Sequence, residues 1–220
     1  MNTNVDVELF SVLSVRELTE STYILRFTRE GMSFKPGQHL VVGIPGSGEY
    51  REYSIYSGTN DDFLEILIKE VDDGMVSRQL KMLRPGDKVE VRGPYGFFMT
   101  NNVPKDNSHA YFIASGTGVA PFHSLIRSNP AINYTLIHGV RDADEAYEKD
   151  HYNQNQYIVC TSRDEKGDFA GRITDYLLDQ DFHTDSSVFL CGNSNMIFDA
   201  MDILHAKGIP QRQIFTEVYF

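Results

Sequence analysis

The feature that most restricts what this chain can become is a change of rhythm part-way along it. From Val5 to Gly96, short apolar or alternating runs are separated by glycine and proline turns such as Pro36-Gly37 and Pro85-Gly86. The runs are Val7 to Leu13, Thr22 to Thr28, Gln38 to Ile44, Glu52 to Ser57, Phe63 to Lys69 and Lys88 to Arg92. Runs of this kind at roughly 8–12-residue spacing read as strands of an antiparallel barrel or sandwich. A helix over Val76 to Leu83, following Asp72-Asp73-Gly74, interrupts them. After the polar segment Asn101 to Ser108 the rhythm becomes strand, loop, helix. The strands are Ala110 to Ala114, Tyr134 to His138, Tyr157 to Cys160, Val188 to Cys191 and Gln213 to Tyr219. Between them come helical patterns over Pro121 to Arg127, Asp144 to His151, Arg172 to Gln180 and Asn195 to Lys207. That alternation predicts a doubly wound parallel sheet. The expected architecture is β followed by α/β, with an antiparallel barrel over residues 1–103 and a parallel nucleotide-binding domain over residues 104–220.

Composition narrows the function classes. A net charge of −11 argues against nucleic acid, whose phosphates need clustered Lys and Arg. No apolar run reaches the ~20 residues of a membrane span. The start Met1-Asn2-Thr3-Asn4-Val5-Asp6 lacks the basic and apolar regions of a secretory signal, so a cytoplasmic protein is expected. Two cysteines, Cys160 and Cys191, cannot supply the four thiolates of a plant-type iron–sulfur cluster.

Two stretches carry chemistry. Arg51-Glu52-Tyr53-Ser54 aligns a permanent cation, an aromatic face and a hydroxyl. A guanidinium matches a diphosphate, and a tyrosine ring can lie against a planar apolar ring. On a strand, Arg51 and Tyr53 share a face while Ser54 takes the opposite pleat or a bend. Alone, the same stretch is equally an edge strand with surface side chains. The second stretch is the first βα turn of the later half, Ser115-Gly116-Thr117-Gly118-Val119-Ala120-Pro121. Its glycines allow a phosphate to approach the backbone, and the helix start offers free N–H groups. Further on, Ser162, Arg163 and Arg172 could receive a 2′-phosphate, or the arginines could pair with Asp164, Glu165 and Asp168. Cys191-Gly192-Asn193 ends the fourth strand, where Cys191 alone reads as a buried structural thiol.

Taken in order, these motifs resemble the ferredoxin–NADP reductase family, in its compact bacterial branch. Arg51-x-Tyr53-Ser54, Gly74-Met75-Val76-Ser77, Pro85-Gly86-Asp87 with Gly93-Pro94-Tyr95-Gly96, the Gly116 turn, Ser162-Arg163 with Gly171-Arg172, Cys191-Gly192-Asn193 and Glu217-Val218-Tyr219 carry the likeness. The resemblance implies FAD as cofactor, NADP(H) as substrate, a ferredoxin or flavodoxin as partner, and a monomer. It implies that Arg51, Glu52, Tyr53, Ser54, Ile66, Ile68, Lys69 and Gly74 to Ser77 hold FAD. It assigns NADPH to Gly116, Thr117, Gly118, Arg141, Ser162, Arg163, Arg172, Cys191 and Asn193. Ser54, Cys191, Glu217 and Tyr219 would serve catalysis, with Tyr219 or Phe220 covering the isoalloxazine. An NADH-dependent reductase of an oxygenase or of free flavin, and a non-catalytic flavin-binding electron-transfer subunit or sensor, are the alternative readings.

Overall fold

The computed structural model describes residues 8–71, 74–99, 102–103 and 108–219. Six antiparallel strands make the first half: β1 (Glu8–Glu17), β2 (Thr22–Thr28), β3 (His39–Gly43), β4 (Tyr50–Ser54), β5 (Phe63–Lys69) and β6 (Lys88–Tyr95). They lie in the order β4-β3-β6-β1-β2-β5. An antiparallel bridge between Ile55 and Ile66, with the Tyr56 N–H donating to the Glu65 carbonyl at 2.8 Å, joins the two outer strands and closes the barrel. Closure at this point reduces the open edge that the two outer strands would otherwise offer to another chain. Phe10, Phe27, Leu40, Val42, Ile66 and Ile68 fill the interior, with the Phe10 and Phe27 rings edge to face at 5.9 Å. The expected helix is present as α1 (Met75–Lys81).

The second half is an all-parallel sheet of β7 (Ala110–Ser115), β8 (Tyr134–Val140), β9 (Tyr157–Thr161), β10 (Phe169–Ala170), β11 (Ser187–Asn193) and β12 (Ile214–Tyr219). Its order is β10-β9-β8-β7-β11-β12. The sheet changes between Tyr95 and Ala110, a span that contains the boundary expected after residue 103. Both faces are covered, which is why β7 and β11 are apolar at nearly every position. Ile113, Leu190 and Ile173 pack on one face with α3 (Ile173–Asp179) and α4 (Ser194–Ala206). Phe112, Phe189 and Phe122 of α2 (Ala120–Ser128) pack on the other. Burying each such ring is worth about 1.5–3 kcal/mol. Ile24, Tyr56 and Leu67 of the barrel belong to that same cluster, so the barrel takes the place of a second helix on this face.

This arrangement explains the one helix that does not form. Asp144 to His151 makes two single 3₁₀ turns, Ala143–Glu145 and Lys149–His151, instead of an α-helix. The Ala143 N–H is taken by Asp164 and the Arg141 N–H by Glu145, so side chains occupy donors near the start of the segment. Ala146, Tyr147 and Tyr152 meanwhile pack into the seam, where Thr22 and Tyr147 hydroxyls meet at 3.1 Å. Polar contacts pin the two halves elsewhere: Arg127 grips Asp61 with two bonds of 2.6 and 2.9 Å, and Ser124 Oγ donates to the Ser57 carbonyl at 2.7 Å. Cys160 and Cys191 are both free thiols, buried on opposite faces of the sheet.

Candidate active site

Two clefts open along the seam. One, of about 640 Å³, runs beside the barrel over β4 and the end of β5, lined by His39, Arg51, Glu52, Tyr53, Ser54 and Leu67 among others. The other, of about 490 Å³, lies beyond the carboxyl ends of the parallel strands, lined by Gly116, Arg141, Ser162, Arg172 and Asn193 among others. Lys69, Thr117 and Tyr219 line both. The carboxyl edge is where open parallel sheets bind ligands, because the chain turns away from the sheet there and leaves a crevice.

In the barrel cleft, the antiparallel pairing of β3 with β4 sets Arg51 opposite Val42 and Tyr53 opposite Leu40. The Arg51 guanidinium is more than half exposed, donates once to the Tyr50 carbonyl at 2.7 Å and stands 3.6 Å from Glu49. Four of its five N–H donors remain for a ligand. Tyr53 is partly buried, which pushes its phenol up to about 12. Ser54 is buried on the other pleat. The alternation of β5 corrects part of the sequence reading. Ile66 and Ile68 point into the barrel core, and it is Leu67 and Lys69 that face the cleft. The Lys69 ammonium bridges to Glu145 at 3.0 Å, tying the barrel to the turn after β8. Gly74, Met75, Val76 and Ser77 do not line either cleft. They are the N-cap and first turn of α1, packed against Val71, which does; Ser77 Oγ donates to the Gly74 carbonyl at 3.2 Å, Val76 is core, and Met75 is exposed.

The nucleotide cleft is shaped by close backbone approach. The Gly116–Val119 segment is a 3₁₀ turn leading into α2. A Cβ on Gly118 would stand 2.4 Å from the Cys191 carbonyl oxygen, and one on Gly192, which has φ +133°, 2.2 Å from Ser115 Oγ. Only glycine lets these two loops touch. His138, buried within β8, donates Nε2–H to the Gly116 carbonyl at 2.8 Å. Burial depresses its imidazole to about 4, so it holds this loop as a neutral group. Sequence reasoning passed over His138; a polar residue ending the run Tyr134 to His138 was the available signal. Arg141, Ser162 and Arg172 line the cleft. Arg163 does not: its N–H donates to the Arg141 carbonyl at 2.8 Å and its side chain lies outside the lining. Asn193 lines the cleft, but its Oδ1 is committed to capping α4 through the Asn195 and Met196 N–H groups. The short β10, unforeseen from sequence, sets Gly171 and Arg172 at the cleft's rim.

Where the clefts meet, three elements converge. Tyr219 donates its hydroxyl to Ser54 Oγ at 2.6 Å, joining the last strand to β4. Cys191 lies across from Glu217 in the β11–β12 pairing; burial pushes its thiol well above the usual range. Burial, then the neighbouring Glu52 charge, raises the Glu217 carboxyl to about 7, and its Oε2 is buried without a hydrogen-bond partner among the described residues. Phe220 lies outside the described residues. The donor set fits a flavin dinucleotide: a diphosphate-matching guanidinium, a phenol ring beside it, hydroxyls of Ser54 and Thr117, and an orphaned carboxylate oxygen at the junction.

Comparison with known proteins agrees with this division. The model of the oxidoreductase FAD-binding domain matches residues 10–99, and that of the oxidoreductase NAD-binding domain matches residues 112–202. A ferredoxin–NADP reductase of Azotobacter vinelandii is 29% identical, covering 94% of this chain and 91% of the relative. The toluate 1,2-dioxygenase electron transfer component of Pseudomonas putida is 26% identical over 95% of this chain and 66% of its own length. Among solved structures, a ferredoxin NADP+ reductase from Neisseria gonorrhoeae with bound FAD and NADP superposes with a TM-score of 0.86 at 24% identity, over 97% of this chain and 99% of that one. Among the described residues, no helix is long and apolar enough to cross a membrane. A cleft on a closed barrel, a second cleft on a parallel sheet and domain matches in that order make this chain an oxidoreductase with an FAD-binding and an NAD-binding domain, similar over nearly its whole length to ferredoxin–NADP reductases.

Proposed function

We propose that this enzyme moves reducing equivalents between NADP(H) and FAD and exchanges single electrons with a ferredoxin or flavodoxin. The observation that carries the reading is the junction itself: one cleft built for a flavin and one built for a nucleotide share Lys69, Thr117 and Tyr219. Bound FAD supplies the chemistry of taking up a hydride and releasing electrons one at a time.

The chain's own residues bind and orient. Arg51 meets the FAD diphosphate and Tyr53 packs on the ring system. Gly116, Thr117, Gly118, Arg141, Ser162 and Arg172 receive the nucleotide, the arginines at its 2′-phosphate. Tyr219 occupies the space both clefts share, so the nicotinamide enters only when that ring swings away and its bond to Ser54 breaks. Such a bond costs about 0.5–1.5 kcal/mol to break, small enough for a gate. Glu217, balanced near neutrality, can hold or release a proton at Oε2, on the residue paired with Cys191 across the two strands.

The test is anaerobic reduction of the purified flavoprotein by NADPH and by NADH, in the native chain and in an Arg141→Ala, Arg172→Ala variant. Loss of two charge-assisted contacts should lower kcat/KM for NADPH roughly 10- to 100-fold and leave NADH nearly unchanged. Equal losses with both nucleotides would refute the phosphate assignment. A screen of the host's ferredoxins and flavodoxins as acceptors then tests the partner. The placement of Arg163 outside the cleft favours one second reading, an NADH-dependent reductase of an oxygenase, for which the native enzyme would prefer NADH.

A further inference from the structure

Away from the clefts, three side chains meet whose arrangement the redox reading does not use. His123, on α2, is buried with its ring stacked on Tyr56 at 3.7 Å and 7° between planes. Its Nδ1 lies 2.7 Å from the Tyr56 carbonyl oxygen. A carbonyl can only accept, so Nδ1 carries the proton and the neutral ring presents the Nε2 lone pair outward. Facing it, Glu148 has φ +50°, a left-handed conformation uncommon for a residue with a side chain. The following turn, Lys149–His151, brings the Glu148 and His151 side chains to the same place.

The three facing atoms are His123 Nε2, His151 Nδ1 and Glu148 Oε2. Their separations are 3.0 Å between the two nitrogens, 3.5 Å from His151 to Glu148 and 3.9 Å from His123 to Glu148. The circle through those three points has a radius of about 2.0 Å, so all three atoms are within bonding reach of one ion, and a contraction of the triangle by a few tenths of an ångström lifts that ion out of the plane into tetrahedral geometry. We propose that His123, Glu148 and His151 form a binding site for one zinc ion or a divalent transition ion of the same ligand preference, at the seam between the two halves of the molecule.

The surroundings have the features such a site requires. Metal-bound histidines donate their other N–H to a carbonyl or carboxylate, and ligating carboxylates are themselves hydrogen-bonded. His123 meets the Tyr56 carbonyl, and Glu148 accepts from Arg16 of β1 through its other oxygen, Oε1. The hydroxyls of Tyr56 and Tyr152, whose rings both pack on His123, are buried beside the site, and the Tyr56 hydroxyl lies against both Glu148 and Tyr152, a further polar group supporting the carboxylate. The fourth position is open: the His151 side chain is 43% exposed and borders a hollow of about 360 Å³. Two imidazoles and one carboxylate suit zinc rather than calcium or magnesium, which take oxygen. All three ligands come from the α/β half, whereas Arg16 and Tyr56 come from the barrel, so an ion here would brace the seam and need take no part in electron transfer.

The test uses the full-length FAD-loaded protein, stripped by dialysis against a chelator and titrated with Zn²⁺ in competition with a chromophoric chelator. Cobalt(II) in place of zinc adds a spectroscopic readout, tetrahedral bands to the red of the flavin absorption. Expected are one equivalent of zinc, tetrahedral cobalt bands, a higher unfolding temperature with zinc, and affinity weakened at least about 100-fold in both His151→Ala and Glu148→Gln. His151→Ala removes a half-exposed ring, so it decides the matter even if His123→Ala does not fold. Substoichiometric zinc in the native protein, or equal uptake in native and His151→Ala proteins, would overturn the proposal.

Discussion

Glu217 gives the sharpest quantitative prediction. Its carboxyl is raised from an ordinary 4.5 to about 7, first by burial and then by the Glu52 charge. Between those two values the unfolded chain releases the proton while the native chain keeps it. The native state therefore binds more protons in this window, and stability falls as pH rises through it. Below 4.5 both states are protonated, and above about 7 both are ionised, so outside the window this group adds no further slope. Once both have ionised, the gap corresponds to about 3 kcal/mol of native-state destabilisation. Glu217→Gln keeps the shape and removes the charge. The variant should match the native chain at pH 4.5 and exceed it by about 3 kcal/mol at pH 8, or roughly 6 to 12 °C in midpoint for a chain of this size. Urea unfolding of flavin-free protein, followed by far-ultraviolet circular dichroism across that pH range, measures the difference directly. Carboxylates remote from Glu217 are common to both proteins and cancel in the comparison. Parallel stability profiles for the two proteins would show that the Glu217 carboxylate is solvated and the reasoning wrong.

Other outcomes follow from the same geometry. Gly118→Ala places a Cβ 2.4 Å from the Cys191 carbonyl oxygen and must push the Gly116 turn off β11; a loss of at least about 2 kcal/mol together with weakened nucleotide binding is expected, checked by denaturation and by nucleotide titration. Ser54→Ala frees the Tyr219 hydroxyl, which eases opening of the gate, but also removes the polar atom that faces the flavin cleft. The second effect should dominate and slow stopped-flow reduction by NADPH about 10-fold or more while FAD content stays unchanged, since Arg51 and Tyr53 remain; loss of FAD in proportion to rate would assign Ser54 to binding alone.

Much of this protein was legible in its residues because strand and helix periodicities are local. Thr22–Thr28 and Phe63–Lys69 stand in the structure with the bounds that their alternation and turns predict, and the shift from barrel to parallel sheet follows the change of rhythm. The arginine, the tyrosine and the glycine turns are recognisable because a diphosphate and a close backbone approach demand those residue types. What alternation cannot say is which of its two faces looks inward: Ile66 and Ile68 went to the core and Leu67 and Lys69 to the cleft because the barrel closes through Ile55 and Ile66. Nor could the segment Asp144 to His151 be resolved locally, since its apolar residues spend themselves on the barrel seam instead of a helix face. The meeting of Ser54, Cys191 and Tyr219, and of His123 with Glu148 and His151, depends on the register of distant strands and on how a closed barrel and an open parallel sheet abut. Those are properties of chain segments more than a hundred residues apart as well as of near neighbours, and no local pattern of side chains encodes them.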